Sequence, residues 1–405
     1  MGVIKKLTSE KTKKAKRTKT HKTRHKVFYW LLRPLVQLFV KLKFGFKFKK
    51  VKNKDLPKNY IVISNHVTDY DALFVACSFR KQMYFVASEH ITRWKTAYRF
   101  LKFVFDPIIR YKASPATSTI MEMLRKVRGG ENICIFAEGV RSWTGETHEI
   151  SYSTAKMIKS AKCGLVTYKI SGGYLSSPIW AESGIRKGYI KGEVAHIYTA
   201  EDIEKMTTDE VYSAIINDVY ENAFATQELL HKKYKGKHLA EGIENLISIC
   251  ENCGAHDSIT SKGDMFGCSA CGKTYKYNEY GVLEDCRFKN VLEYSAWQLE
   301  KIKDDVKSGV SYVAEYSLIS KLNLDHSKEE IATGRLEFNN KTLTCGEFKI
   351  NTKDVTDVAV FGKHGLVLMA GKDYYEILPD RKFSTYKFWQ YFKMYKKLNE
   401  DKEEK

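Results

Sequence analysis

The chain has 405 residues, which is long enough for two or three domains, and 43% of them are hydrophobic. With 13% aromatic and 29% charged residues, this composition excludes a wholly disordered chain, because enough apolar surface is available to offset chain entropy. No apolar run reaches the roughly 20 residues that a membrane-spanning helix needs. The sequence therefore predicts a globular protein with no clear transmembrane segment.

The net charge of +20 is concentrated near the N-terminus. Residues 1–50 contain 17 Lys and Arg and a single acid, Glu10, whereas the other 355 residues contain 51 basic and 47 acidic side chains. The first 50 residues are therefore a basic arm on a nearly neutral body. Such an arm could contact either nucleic acid or the anionic leaflet of a membrane.

The residues that follow the most basic part of the arm favour the membrane. Residues 27–40 read VFYWLLRPLVQLFV, and the next ten alternate basic and aromatic side chains. A cationic stretch joined to an apolar segment too short to span a bilayer predicts an amphipathic helix at the membrane interface. We therefore expect a peripheral or monotopic protein on the cytoplasmic face of an anionic membrane. A signal peptide fits less well, because no small-residue cleavage site follows.

Short strands and helices alternate in the middle of the chain, and residues 201–233, which have helical periodicity, close this region. This order predicts an α/β layered domain over residues 51–235. Buried strands are expected at 60–64, 83–87, 132–136 and 165–170, and helices at 118–127 and 154–161.

Four of the nine cysteines form two pairs, each with two residues between the thiols and a glycine after the second. They are Cys250, Cys253, Cys268 and Cys271. Two such pairs can bind one metal ion tetrahedrally from two tight turns, which leaves no open position for catalysis. The spacing predicts a structural zinc ribbon over residues 246–285. Two disulfides are the alternative, but the other five cysteines are scattered, as in a reducing cytosol.

The last part of the chain, residues 312–400, predicts a β-rich module that ends in a helix. Its outline is similar to a pleckstrin-homology-like module, and a polar helix near 292–307 precedes it. The strands are expected at 335–338, 342–345, 347–350, 358–361, 366–369 and 374–378.

One motif suggests acid–base chemistry. In NHVTDYD, His66 follows a predicted strand and Asp71 lies in the first turn of a predicted helix. A neutral imidazole can remove a proton from a hydroxyl if a carboxylate fixes its tautomer. Thr68 and Asp71 also fit a capping box, so Asp71 could serve only to cap the helix.

A second motif, FAEGVRS at residues 136–142, follows the strand NICIF. Gly139 permits close approach of the backbone, and Arg141 supplies a two-pronged donor that suits a phosphate. Arg110, after an apolar Pro-Ile-Ile, is a further cationic candidate. Each arginine by itself is more often a surface residue.

Together these segments resemble the glycerolipid acyltransferases, typified by 1-acyl-sn-glycerol-3-phosphate acyltransferase. The first motif is similar to that family's NHx4D motif and the second to its FPEGTRS motif, while residues 107–110 are similar to its intermediate arginine-bearing block. The resemblance covers roughly residues 27–235. The chain departs from the family at Ala137 and Val140, where the family has Pro and Thr, and the later Val-Pro block is present only as LVTY.

The resemblance implies that His66 is the general base and Asp71 its orienting partner. It also implies that Glu138, Gly139 and Arg141 shape the acceptor site, with Arg110 and Arg141 binding the acceptor's phosphate. A domain that has lost activity through the motif departures is also conceivable.

The implied reaction moves a fatty acyl group from acyl-CoA or acyl-carrier protein to the hydroxyl of a lysophospholipid, foremost 1-acyl-sn-glycerol-3-phosphate, giving phosphatidate. Because a thioester is already activated, catalysis requires no metal, and the zinc would be structural. The alternative function is a nucleic-acid-binding zinc-ribbon protein with a basic arm. The loops of the ribbon have nearly balanced charge, so nucleic acid is the less favoured partner.

Overall fold

The structure is a computed structural model that describes residues 2–110, 117–323, 327–381 and 383–403, with the backbone alone described for residues 2–21, 94 and 401–403. The side chains at the start of the predicted basic arm therefore lie outside the described residues.

The N-terminal elements are α1 (Gly2–Phe44), β1 (Lys47–Phe48), β2 (Tyr60–Ser64), α2 (Asp71–Ser78), β3 (Met83–Ser88), α3 (Lys95–Val104), β4 (Ile108–Arg110), α4 (Thr117–Arg128), β5 (Asn132–Phe136), α5 (Tyr152–Ala161), β6 (Gly164–Ser171), α6 (Gly173–Ser176), β7 (Lys191–Tyr198), α7 (Ala200–Lys205), α8 (Thr208–Val219) and α9 (Ala223–Leu230).

The C-terminal half contains two further sheets. Its elements are β8 (Ile259–Lys262), β9 (Met265–Cys268), β10 (Thr274–Tyr277), β11 (Leu283–Glu284), α10 (Val291–Ser308), β12 (Tyr312–Leu322), β13 (Lys328–Phe338), β14 (Thr342–Cys345), β15 (Phe348–Asn351), β16 (Val355–Phe361), β17 (Gly365–Ala370), β18 (Asp373–Pro379) and α11 (Thr385–Glu403).

The N-terminal sheet has the strand order β1-β7-β6-β2-β5-β3-β4. Its strands pair in parallel, except for β6 and β7, which are antiparallel. The α/β layered class predicted from the sequence is confirmed. Because β2, β5, β3 and β4 are parallel neighbours, the residues that follow them meet at one edge of the sheet, which we call the carboxyl edge.

Apolar side chains cover both faces of this sheet. Ile61 and Ile63 of β2 belong to a core with residues of α4, α5 and α8. Tyr60 and Val62, which point the other way, belong to a larger core that continues into the C-terminal half of the chain. All five residues of β2 are buried. The strand that carries the first motif is therefore fixed from both sides.

Helix α1 extends the predicted interfacial helix in both directions and has two distinct faces. On the inner face, Val40 and Phe44 are fully buried, and the side chains of Arg33 and Gln37 donate to the Cys77 carbonyl at 2.8 and 2.9 Å. These donors satisfy the end of α2, where helical carbonyls lack partners. The outer apolar face, with side chains 44% to 68% exposed, consists of Val27, Trp30, Leu31, Leu35, Leu38, Phe39 and Leu42.

The helical periodicity predicted at residues 201–233 corresponds to three helices, α7, α8 and α9. Thr199 and Thr207 form capping boxes at the starts of α7 and α8, and Asn222 caps α9 through the N–H groups of the next turn. In the part of the chain that the structure describes, no helix is both long and apolar enough to cross a membrane.

The C-terminal region is β-rich, as predicted. The small sheet has the order β11-β10-β9-β8, and the large antiparallel sheet has the order β15-β14-β13-β12-β18-β17-β16, followed by α11. The sequence predicted six of the seven strands of the large sheet but missed β12. Two register shifts interrupt the pairing of β12 with β13, and they break the strict alternation that marks a strand in sequence.

Candidate active site

His66 and Asp71 form a hydrogen-bonded pair at the carboxyl edge. His66 lies just after β2, and its Nδ1 is 2.8 Å from Oδ2 of Asp71, the first residue of α2. The imidazole stacks on the Phe136 ring at 4.6 Å between centroids, and its side chain is 24% exposed. Because a carboxylate accepts the proton of Nδ1, the lone pair of the neutral ring is on Nε2.

The Asp71 carboxylate also organises the turn between strand and helix. It accepts the backbone N–H groups of Val67 and Thr68 at 2.6 and 2.9 Å, and the Thr68 hydroxyl at 2.6 Å. Asp71 is 1% exposed. The contact with His66 agrees with the orienting interpretation of Asp71. The predicted capping box is wrong, because the residue before α2 is Tyr70 and no side chain caps this helix.

Glu138 holds the backbone of the histidine. One carboxylate oxygen accepts the N–H of His66 and the other accepts the N–H of His148, each at 2.6 Å. Burial raises the pKa of Glu138 to about 8, against the opposing effect of these two hydrogen bonds. Gly139 has φ of +72°, a left-handed conformation that favours glycine, and its Cα faces open space.

Arg141 is close to the pair but is bound within the chain. Its guanidinium contacts the Asp69 carboxylate at 2.8 Å and the Ser177 carbonyl at 2.7 Å. Asp69 is 74% exposed, so the carboxylate side of this ion pair faces solvent.

Arg110 lies at the end of β4, at the same carboxyl edge. Two strands, β5 and β3, separate β4 from β2, which corresponds to about 14 Å at normal strand spacing. Burial lowers the pKa of Arg110, and the nearby Glu89 and Asp357 oppose that effect. The structure therefore brings His66, Asp71, Glu138 and Arg141 together and places Arg110 farther along the edge.

Two further residues fix the site, and neither was assigned a role from the sequence. The Asn65 side chain makes two hydrogen bonds to the backbone of Ile170, both at 2.8 Å, which joins the end of β2 to β6. His148 donates its backbone N–H to the Glu138 carboxylate. Asn65 was visible as part of the first motif, whereas no pattern in the sequence marks His148.

The four predicted metal ligands form a compact cluster. All four Sγ atoms lie within 4.8 Å of one another. Two of the Sγ–Sγ distances, Cys250 to Cys271 and Cys253 to Cys268, are 3.8 and 3.7 Å. Four sulfurs at about 2.3 Å from a central zinc would be about 3.8 Å apart, whereas bonded sulfurs are about 2.05 Å apart. The cluster fits a tetrahedral metal site.

The glycine after each cysteine pair has the predicted role. Gly254 and Gly272 have φ of +74° and +73°, and each donates its N–H to the carbonyl of the first cysteine of its pair at 2.9 Å. These tight turns direct the thiols of each pair toward the centre of the cluster.

The comparisons with known proteins agree with the two motifs. Residues 47–171 match the family model described as Acyltransferase. No curated protein matches the chain. One matching solved structure is the 1-acyl-sn-glycerophosphate (LPA) acyltransferase PlsC from Thermotoga maritima, at 14% identity and a TM-score of 0.39, covering 50% of this chain and 80% of that one. The family-model match shows that residues 47–171, which contain both motifs, belong to a domain of the acyltransferase family, as the motifs predicted.

Proposed function

We propose that the protein transfers a fatty acyl group from a thioester, acyl-CoA or acyl-carrier protein, to the free hydroxyl of a lysophospholipid. The hydrogen bond between His66 Nδ1 and Asp71 Oδ2 carries this proposal, since it leaves Nε2 ready to accept a proton. The acceptor suggested by the motifs is 1-acyl-sn-glycerol-3-phosphate, and the product is phosphatidate.

The reaction needs one base and one site for developing negative charge. His66 Nε2 takes the hydroxyl proton while the hydroxyl oxygen attacks the thioester carbonyl carbon, giving a tetrahedral oxyanion. When this intermediate collapses, the carbon–sulfur bond breaks and the thiolate leaves with the proton from the imidazolium. Asp71 stabilises the imidazolium without itself becoming protonated, as in hydrolases that use a carboxylate-oriented histidine.

Arg141 is proposed to bind the acceptor's phosphate after that phosphate replaces the Asp69 carboxylate. The exchange is favourable for a bidentate ligand of higher charge. Arg110 is proposed to contribute positive charge from farther along the carboxyl edge.

An acyl-transfer assay tests the function. Purified protein is incubated with labelled acyl-CoA or acyl-carrier protein and a panel of acceptors: 1-acyl-sn-glycerol-3-phosphate, glycerol 3-phosphate and lysophospholipids with larger head groups. We expect labelled phosphatidate as the main product. If no acceptor of the panel gains label with either donor, the proposed function is wrong.

We further propose that Cys250, Cys253, Cys268 and Cys271 hold one structural zinc ion. Their tetrahedral spacing and their thiolate chemistry support it. The ion would stabilise the turns between β8, β9 and β10 and would take no part in acyl transfer.

We also propose that the protein lies on the cytoplasmic face of an anionic membrane. The outer apolar face of α1 supports this, because such a continuous exposed surface is rare on a monomeric soluble protein. Phe100 and Phe103 of α3, 58% and 49% exposed, adjoin it through a contact between the Phe28 and Phe103 rings. A lipid acceptor could then reach the carboxyl edge from the bilayer.

A further inference from the structure

The loop that follows the second motif lies between the catalytic histidine and the C-terminal helix. We call residues 141–149 the motif loop. Ser142 donates its N–H to the His66 carbonyl at 2.8 Å, and Glu138 links the N–H groups of His66 and His148. Any displacement of this loop therefore changes the position of the His66 backbone.

Helix α11 packs directly on the motif loop through two aromatic contacts. The Trp143 and Tyr386 rings stack at 4.8 Å between centroids, and both side chains are buried. Trp389, one turn further along α11, meets the His148 ring edge-on at 5.8 Å and 90°. Helix α11, the last element of the C-terminal module, thus packs against the motif loop.

The ring of His148 connects two parts of the motif loop by a hydrogen bond. Its Nε2 accepts the backbone N–H of Trp143 at 3.4 Å. This contact requires a neutral ring, since a protonated nitrogen cannot accept a hydrogen bond. Burial and the charge of Lys393 lower the pKa of His148 to about 4, which keeps the ring neutral near pH 7.

Helix α11 is itself anchored away from the site. The buried Lys387 ammonium lies 2.6 Å from Oδ1 of Asp257, which follows the first cysteine pair. The Ser384 hydroxyl donates to the Asn245 carbonyl at 2.8 Å. These contacts fix the start of α11 on Asn245 and on the segment after it that carries the four cysteines, residues 246–285, which we call the cysteine ribbon. The ribbon therefore holds α11, and α11 in turn packs on the motif loop.

We propose that His148 and Trp389 are positioning residues for acyl transfer. Trp389 holds the neutral His148 ring in the motif loop, and the loop presents Glu138 to the His66 backbone. The C-terminal module is then required for catalysis, although the acyltransferase family model ends at residue 171. This inference rests on the proposed function for its kinetic test only.

The test replaces Trp389 with leucine and uses Phe388→Leu as the matched control. Phe388 is the neighbouring buried aromatic residue of α11, but it packs on Phe338 at 4.3 Å, inside the module. We expect Trp389→Leu to lower kcat by about 10- to 100-fold with KM changed by less than about twofold, because geometry rather than binding is lost. Phe388→Leu should keep kcat near wild type at a similar loss of melting temperature, and Trp389→Phe should restore most of the activity.

A second measurement does not depend on turnover. The His148 ring, followed by NMR, should titrate near pH 4 in the wild type and in Phe388→Leu. In Trp389→Leu its pKa should rise toward the ordinary value of about 6.5, because the ring becomes hydrated. If the wild type transfers no acyl group, the proposed function fails, while this titration still tests the contact.

A double-mutant cycle covers the case in which Trp389→Leu does not fold. The loop-side variant His148→Asn keeps the N–H to Glu138 and should lower kcat to a similar extent. Combined with Trp389→Met, which removes the ring contact and should itself lower kcat, it should be no slower than His148→Asn alone, because residues that act through one contact are not additive. Additive losses, equal losses in Trp389→Leu and Phe388→Leu, or an unmoved His148 titration would each overturn the proposal.

Discussion

His66 is the side chain on which the proposed chemistry depends. Replacing it with alanine should lower kcat by about 10²–10⁴-fold, the usual range for loss of a general base. Asp71→Asn should also reduce kcat strongly, because an amide can present the wrong hydrogen-bonding group to Nδ1. The measurement is the initial rate of acyl transfer at saturating donor and acceptor, with circular dichroism to confirm folding.

His196→Ala is the control for this pair, since His196 is exposed on β7 and its ring stacks on Tyr198, away from the carboxyl edge. It should leave the rate unchanged. A folded His66→Ala protein with the wild-type rate would show that another group accepts the proton.

His148 should make the stability of the protein depend on pH. Its pKa is lowered from 6.5 to about 4 in the folded protein, so the unfolded chain binds a proton between these values and the folded chain does not. The free energy of unfolding should therefore fall as pH decreases from about 6.5 to 4. Urea titrations of the wild type and of His148→Asn across this range isolate the contribution of His148 to the pH dependence of the free energy of unfolding. An identical slope in the variant would mean that His148 is not the responsible group.

At the residue scale, the sequence could predict a contact only where the two partners are near in sequence. His66 and Asp71 are five residues apart across one turn, so the sequence could place them together. The contact of Arg141 with Asp69 joins residues 72 apart, and that of His148 with Trp389 joins two different modules. Such contacts depend on how the sheets and helices pack, and one sequence contains no pattern that reports them.

At the scale of elements, α1 joins the domain core to the proposed membrane surface. Leu35→Ser and Leu38→Ser, on its outer apolar face, should together weaken binding to anionic vesicles by roughly tenfold or more, because apolar burial in the interface is lost. Leu229→Ser is the matched control, since Leu229 is 87% exposed on α9. Cosedimentation measures the bound fraction. If the Leu35/Leu38 double variant and Leu229→Ser bind vesicles equally well, the outer apolar face of α1 is not the membrane-binding surface.

The cysteine ribbon gives a second prediction at this scale. Elemental analysis should find one zinc per chain, and none after all four ligands are replaced with serine. The same change should unfold the segment around β8–β10, because metal binding supplies much of the folding free energy of such modules. Cys286→Ser, a half-buried cysteine outside the cluster, should keep the metal. Zinc-free wild-type protein purified without chelator would contradict the assignment.

Elements with strong periodicity or unbroken apolar runs were predictable, and irregular ones were not. The first four residues of strand β2 are apolar because both of its faces are covered, and this unbroken apolar run is visible in the sequence. Only the last four residues of β13 were predicted, because its first half is charged and exposed. Strand β7 was missed, because its residues are mostly half-buried and mix polar with apolar side chains.

At the scale of the whole molecule, the basic arm and the outer apolar face both belong to helix α1. The backbone of α1 continues through the most basic residues, and Lys22 pairs with Glu131 of the domain body at 2.9 Å. From there to Phe44 the inner face packs against the domain. The arm and the body are therefore continuous, and removing residues 1–50 would take part of the core with them.

Deleting residues 2–21 separates the electrostatic from the apolar part of membrane binding. This segment contains eight Lys and Arg and one acid, a net charge of +7. Each basic side chain near an anionic surface contributes about 1 kcal/mol and is screened by salt, whereas the outer apolar face of α1 is insensitive to salt. The shortened protein should bind anionic vesicles more weakly at low salt, with a smaller salt dependence, and should keep its acyl-transfer rate on detergent-dispersed acceptor. A nucleic-acid-binding arm requires the opposite outcome: tight, salt-sensitive duplex binding that the deletion abolishes, with no partition of the full chain onto vesicles.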